Sequence, residues 1–234
     1  FRRVLFRSGE WASEVNGALW SLEDRTAADG KNMPGIDATR VTSCPELRRI
    51  VVAVDPSGTK GDGAGDDIGI VIAGLGVDGH GYILEDATCQ MSPEGWGRRA
   101  VERYHHWRAD RIVGERNYGG DMVRFTVSTA DSRASFKEVS ATRGKSVRAE
   151  PISALMEAGK IRMAGIFRQL EDELIGFTTT GYTGENSPNR ADAMVWAFSD
   201  LFPEMTKPKE APKTSTESKT DTPQSAVPAA TPAQ

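Results

Sequence analysis

The chain has 234 residues, of which 38% are hydrophobic and 26% charged, with a net charge of -4. That is enough apolar material for one core, since domains commonly run roughly 100–200 residues, and the acidic balance excludes a uniformly basic nucleic-acid binder while leaving room for local basic clusters. Cys44 and Cys89 form no CxxC pair, which argues against a disulfide scaffold or a zinc ribbon and for a reducing compartment. No apolar run approaches the roughly 18 residues of a membrane span, and no secretory signal is visible.

Phe1–Ser8, FRRVLFRS, reads as the in-frame translation of a sequencing adapter and is set aside from fold reasoning. Residues 9–46 read as a connector from an upstream domain, with a short helix over Trp11–Trp20 followed by loop from Leu22 to Cys44. The domain proper is expected over residues 47–203. Ile50–Val54 is an apolar, β-branched run that predicts a buried strand. Asp55 ends it, and a Gly- and Asp-rich turn follows over Gly58–Gly65. Ile68–Leu75 predicts a second strand. Asp78-Gly79 is a hairpin signal, and Tyr82–Thr88 predicts the third strand of an antiparallel meander.

The pattern then changes to alternating strands and helices. Ser92-Pro93 starts a helix that ends near Asp110. Arg111–Gly114 is a short strand ending at Glu115, and Asn117–Gly120 is a turn. Met122–Ser128 predicts helix and Phe136–Val139 strand. Glu150-Pro151 is read as the start of a helix reaching Ala158. Ile161–Met163 predicts an edge strand, Phe167–Ile175 a helix and Ala191–Phe202 the last helix. The fold class expected is mixed α/β, an antiparallel meander followed by parallel strands, flanked by helices. Residues 204–234 are rich in Pro, Lys, Ser and Thr and poor in large apolar residues, which predicts a disordered tail.

Three carboxylates stand out by position. Asp55 and Glu115 end strands, and Asp192 lies in the opening turn of the last helix. Brought together they would repel unless cations sit among them. Mg²⁺ suits a few carboxylates plus water and phosphate oxygens. Two ions about 3.5–4 Å apart can drive an in-line phosphoryl displacement with water as the nucleophile. Each residue also has a structural reading: a turn Asp at 55, a surface ion pair of Glu115 with Arg111 or Arg116, and a helix-dipole partner at Asp192.

The ordered set VAVDPSG, Asp67-Ile68-Gly69-Ile70-Val71, RIVGERNYGGDMV, SATRGKSVRAEPISALMEAGKI, LEDELIGFT and SPNRADAMVWAFSDL resembles the C-terminal nuclease domain of the large terminase subunit of tailed bacteriophages and prophages. The resemblance covers about Arg49 to Phe202. It implies an RNase H-like fold and an endonuclease dependent on Mg²⁺ or Mn²⁺, with two ions, that cuts concatemeric viral double-stranded DNA during packaging. It implies metal ligands at Asp55, Glu115 and Asp192, with Asp67 as an auxiliary acidic residue. It further implies a separate ATPase domain and portal and small-subunit partners; with no signal peptide or membrane span in the sequence, no membrane partner and a location in the host cytoplasm are expected.

Arg116 departs from the small apolar residue expected after Glu115. Gly144-Lys145-Ser146 imitates the end of a phosphate-binding loop, but Val139 stands where its first glycine belongs. Arg143, Lys145 and Arg148 are instead expected to contact DNA phosphates, or to form a solvated loop. His105 and His106 are expected at the surface. Alternative readings are another RNase H-like nuclease, such as a resolvase or transposase, and a non-catalytic packaging module that grips DNA or docks to the portal.

Overall fold

The computed structural model describes residues 17–27, 29–56, 67–116 and 122–206. The adapter-like Phe1–Ser8, most of the Trp11–Trp20 segment, the Gly58–Gly65 and Asn117–Gly120 turns, and nearly all of the 204–234 tail lie outside them. In chain order the strands and α-helices are β1 (Arg25–Thr26), β2 (Asn32–Met33), β3 (Leu47–Pro56), β4 (Ile68–Gly76), β5 (Gly81–Asp86), α1 (Pro93–His106), β6 (Arg111–Glu115), α2 (Met122–Ala130), β7 (Phe136–Val139), α3 (Lys145–Glu157), β8 (Ile161–Met163), α4 (Arg168–Ile175), β9 (Phe177–Thr178), β10 (Gly181–Tyr182), α5 (Asn189–Leu201) and α6 (Pro203–Thr206), with a 3-10 turn at Asp37–Thr39.

The central sheet has six strands in the order β7-β6-β3-β4-β5-β8. β3, β4 and β5 form the expected antiparallel meander. β6 pairs with β3, β7 with β6, and β8 with β5, all in parallel. Every residue of β4 is buried, so both of its faces are covered. One face carries α5 with α3 and α4 packed around Val51, Ala53, Val71 and Val113. The other carries α1 and α2 against Val52, Val54, Ile70, Ile72 and Ile112. Side chains alternate along a strand. Asp55 therefore shares the α5 face with Val51 and Ala53, and Glu115 shares it with Val113.

The segment before β3 packs into the core. Leu19, Trp20 and Ile36 belong to the α5-side cluster. The helix expected through Trp20 does not continue over the described residues 17–20. There Ala18 bridges Thr178 and the Leu19 N–H donates to the Phe177 carbonyl at 2.8 Å. Burial of Leu19 and Trp20 against Phe177 outweighs the local helical spacing. The expected loop of residues 22–44 contains the β1–β2 hairpin. Arg40 within it pairs at 3.0 Å with Glu171 of α4, a fully buried carboxylate.

Two helices begin at positions that fix neighbouring side chains. Ser92 caps α1 through its Oγ, which accepts from the Gly95 N–H at 3.3 Å. Helix α3 begins at Lys145, well before the Pro151 that the sequence predicts at its start, and Pro151 lies inside it. A helix from Lys145 sets Lys145 and Arg148 three residues apart, hence on one face. Among the described residues no helix is long and apolar enough to cross a membrane.

Candidate metal and catalytic centre

Parallel pairing of β3 and β6 aligns Val54 with Gly114, so Asp55 and Glu115 end adjacent strands side by side. On the other flank of β3, Asp55 is in register with Gly69 of β4. A Cβ on Gly69 would sit 1.9 Å from the carbonyl oxygen of Asn189. The missing side chain is what lets the first turn of α5 rest on β4 beside Asp55. Asp192 follows three residues after Asn189, fully buried.

The electrostatics of Asp55 record the convergence. Burial pushes its carboxyl well above the usual carboxylate range. The charges of Asp192 and then Glu115 push it further, while Lys145 and Arg148 pull it back. A carboxylate hidden from water beside two others is disfavoured in its charged form unless cations are close.

Those cations come from α3. Lys145 Nζ lies 2.5 Å from Asp192 Oδ2 and donates to Ser187 Oγ at 3.1 Å. A guanidinium nitrogen of Arg148 lies 3.5 Å from Asp192 Oδ1 and 3.9 Å from Glu115 Oε2. Arg148 stacks over the Trp196 ring at 4.7 Å, and Trp196 Nε1 donates to Glu115 Oε2 at 2.9 Å. Arg148 also donates to the Arg143 carbonyl at 2.9 Å, while the Arg143 residue itself is exposed. The expected basic cluster is thus divided: Lys145 and Arg148 turn onto the carboxylates, and Arg143 faces solvent. Among the described residues, no three His, Cys, Asp or Glu side chains close around one point as tightly as a metal site requires. The donor chemistry nonetheless fits a hard divalent cation, being all carboxylate oxygen with no imidazole or thiolate.

Asp67 is turned away from this trio. Its Oδ2 lies 2.5 Å from Arg190, whose guanidinium also pairs with Glu173 at 2.9 Å and Asp86 at 3.2 Å and donates to Gln169 at 3.1 Å. Glu173 also accepts the Ala191 N–H at 3.0 Å. Burial is the main reason the Glu173 carboxyl is pushed up to about 7, against the opposing pull of Ala191 and Arg190. Arg190 therefore ties the residue just before β4, together with β5 and α4, to the turn that carries Asp192. His105 sits at the surface against Asp131 at 2.9 Å, as expected.

Trp196, Arg190, Glu173 and Ser187 were not foreseen as site residues. Trp196 had one available signal, since it lies four residues after Asp192 and so on the same helix face.

A six-stranded mixed sheet, an antiparallel meander extended by parallel strands and flanked by helices, with acidic residues at its strand ends, defines an RNase H-like domain. The terminase RNaseH-like domain family matches residues 52–201, and the chain belongs to that family. Solved structures share the fold at low identity. The large terminase nuclease of thermophilic phage G20c is 14% identical, with 66% of this chain and 85% of that chain covered and a TM-score of 0.52. The same G20c nuclease with bound magnesium is 14% identical over 79% and 98%, with a TM-score of 0.50. The large terminase of another thermophilic bacteriophage is 11% identical, with a TM-score of 0.51. That match covers 78% of this chain but spans only 47% of the other. No curated protein matches the sequence.

Proposed function

We propose that this domain is a divalent-metal-dependent endonuclease that cuts double-stranded viral DNA during genome packaging. The observation that carries the reading is the placement of the buried Asp55 beside Glu115 on adjacent parallel strands, with the buried Asp192 joined to Glu115 through Arg148. Such a cluster is costly to fold and has an evident use in binding cations. Asp55, Glu115 and Asp192 would hold the Mg²⁺ or Mn²⁺ ions, two in all. When bound, these ions supply charge neutralisation for in-line attack of water on a phosphodiester.

The chain's own residues do the rest. Trp196 orients Glu115 through its N–H. Arg190 holds the first turn of α5 in place. Arg143, exposed at the rim, offers a guanidinium to the DNA backbone, which gives affinity without sequence information. Asp67 acts through Arg190 and not on the ions. The packaging role, an accompanying ATPase domain, portal and small-subunit partners and the host cytoplasm rest on the family alone.

The test is cleavage of supercoiled plasmid by the full chain with Mg²⁺ or Mn²⁺. Wild type should nick and linearise DNA, and Asp55→Asn should not, while keeping its circular-dichroism spectrum. Undiminished cleavage by Asp55→Asn would sink the assignment. Preference for branched over linear duplex would move it toward a junction-resolving nuclease, and metal binding without cleavage toward a gripping module.

A further inference from the structure

Lys145 and Arg148 both face the carboxylates, yet they are held differently. Arg148 is boxed in by Trp196, the Arg143 carbonyl, Glu115 and Asp192, and its side chain is 12% exposed. Lys145 is 43% exposed and has two partners, Asp192 and Ser187. It is also the first residue of α3. A cation at a helix N-terminus is opposed by the helix dipole. The contact with Asp192 therefore holds Lys145 against an unfavourable local field, with the lysine end of the pair open to solvent and the carboxylate end buried.

We propose that Lys145 is an exchangeable stand-in for a divalent cation on Asp192. In the metal-free protein its ammonium neutralises Asp192 at the oxygen an ion would need. When an ion binds there, Lys145 loses its partner and is repelled by both the ion and the helix dipole, so it swings to solvent. Arg148, stacked and enclosed, stays as the fixed cation that positions Glu115. This inference rests on the metal-dependent reading of the site. It adds that metal and Lys145 compete for one carboxylate, and that competition is reciprocal.

The experiment is calorimetric titration of Mn²⁺ into the full chain, comparing wild type, Lys145→Met and Arg143→Gln. Removing a competitor should tighten Mn²⁺ binding by about fivefold or more, the lower end of usual site coupling. Arg143→Gln removes a neighbouring charge that makes no contact with the carboxylates, and should stay within about twofold of wild type on the same scale. Metal-free Lys145→Met should melt below wild type, and Mn²⁺-saturated Lys145→Met should match it. Unchanged or weaker Mn²⁺ binding in Lys145→Met overturns the exchange, as does an equal gain in Arg143→Gln, which would mean a general field effect. If wild type and Lys145→Met both ignore Mn²⁺, the metal reading itself fails and takes the exchange with it. That result is distinct from the first, in which wild type binds.

Discussion

The Trp196 indole N–H donates to Glu115 at 2.9 Å while Arg148 lies over the same ring at 4.7 Å. One aromatic side chain thus fixes a carboxylate by its edge and a guanidinium by its face. Trp196→Phe keeps a face for Arg148 and removes the donor. Loss of such an orienting bond commonly costs about 10–100-fold in metal affinity. Mn²⁺ titration should show a loss near the lower end, with the fold intact by circular dichroism. Unchanged affinity would mean that Glu115 is oriented by something else.

Arg190 should matter more for stability than for chemistry. It is nearly buried and pairs with Asp67, Asp86 and Glu173. Arg190→Ala leaves those carboxylates facing one another, and breaking a buried pair costs about 3–5 kcal/mol. Urea denaturation should report a loss of that order, with Arg190→Lys recovering part of it. A change under about 1 kcal/mol, the usual value of an exposed pair, would contradict the clamp.

Glu173 gives the domain a pH dependence. Its folded carboxyl titrates at about 7 against an ordinary 4.5. Raising a carboxyl's pKa on folding favours the protonated form. Its contribution is therefore fully present below the ordinary value and lost as pH rises toward the folded one. Melting temperature should fall between those limits, and Glu173→Gln should flatten that slope. A slope that survives the substitution would assign it to another group.

Asp55→Asn should separate stability from activity. Burial and the two neighbouring carboxylates disfavour charged Asp55 in the metal-free protein. By the same sign rule its charge weighs against folding as pH rises above the ordinary carboxylate range. The amide removes that burden, so metal-free Asp55→Asn should melt higher than wild type at pH 8, by about 2–4 °C per kcal/mol relieved in a domain of this size. A lower melting temperature would show that the charged form is already compensated.

Gly69→Ala tests how α5 is seated. The added Cβ would meet the Asn189 carbonyl oxygen at 1.9 Å, so the helix start must move. Overpacking of this kind costs about 1–3 kcal/mol. It should also weaken Mn²⁺ binding, because Asp192 moves with the helix. A variant as stable and as tight as wild type would place α5 farther from β4 than described.

Much of the sheet was legible because β-branched runs and Asp78-Gly79 are local signals. The meander, β7 and the edge strand β8 appear where the sequence predicts them. Strand alternation and parallel pairing then suffice to put Asp55 and Glu115 on one face. The contacts of the basic cluster with the carboxylates were not legible. Pro151 looks like a helix start because proline favours the first turn, whereas α3 begins at Lys145 and carries Pro151 within it. That shift puts Lys145 and Arg148 on one helix face, against Asp192. Arg190 was missed for another reason: its partners Asp67, Asp86 and Glu173 are far apart in sequence, and no local pattern announces such a hub.

Helix α5 is anchored at both ends. Arg190 secures its first turn, and Asp200 near its end draws in Lys137 at 2.5 Å, Arg49 at 2.7 Å and Arg111 at 3.8 Å from three strands. The wall of the centre that carries Asp192 is thereby tied to the sheet at both ends of the helix. The start of α3 on the opposite wall is joined to it, among the described residues, through the side chains of Lys145 and Arg148. A partner that opened or closed this centre would find a handle in the short stretch from Arg143 to Arg148.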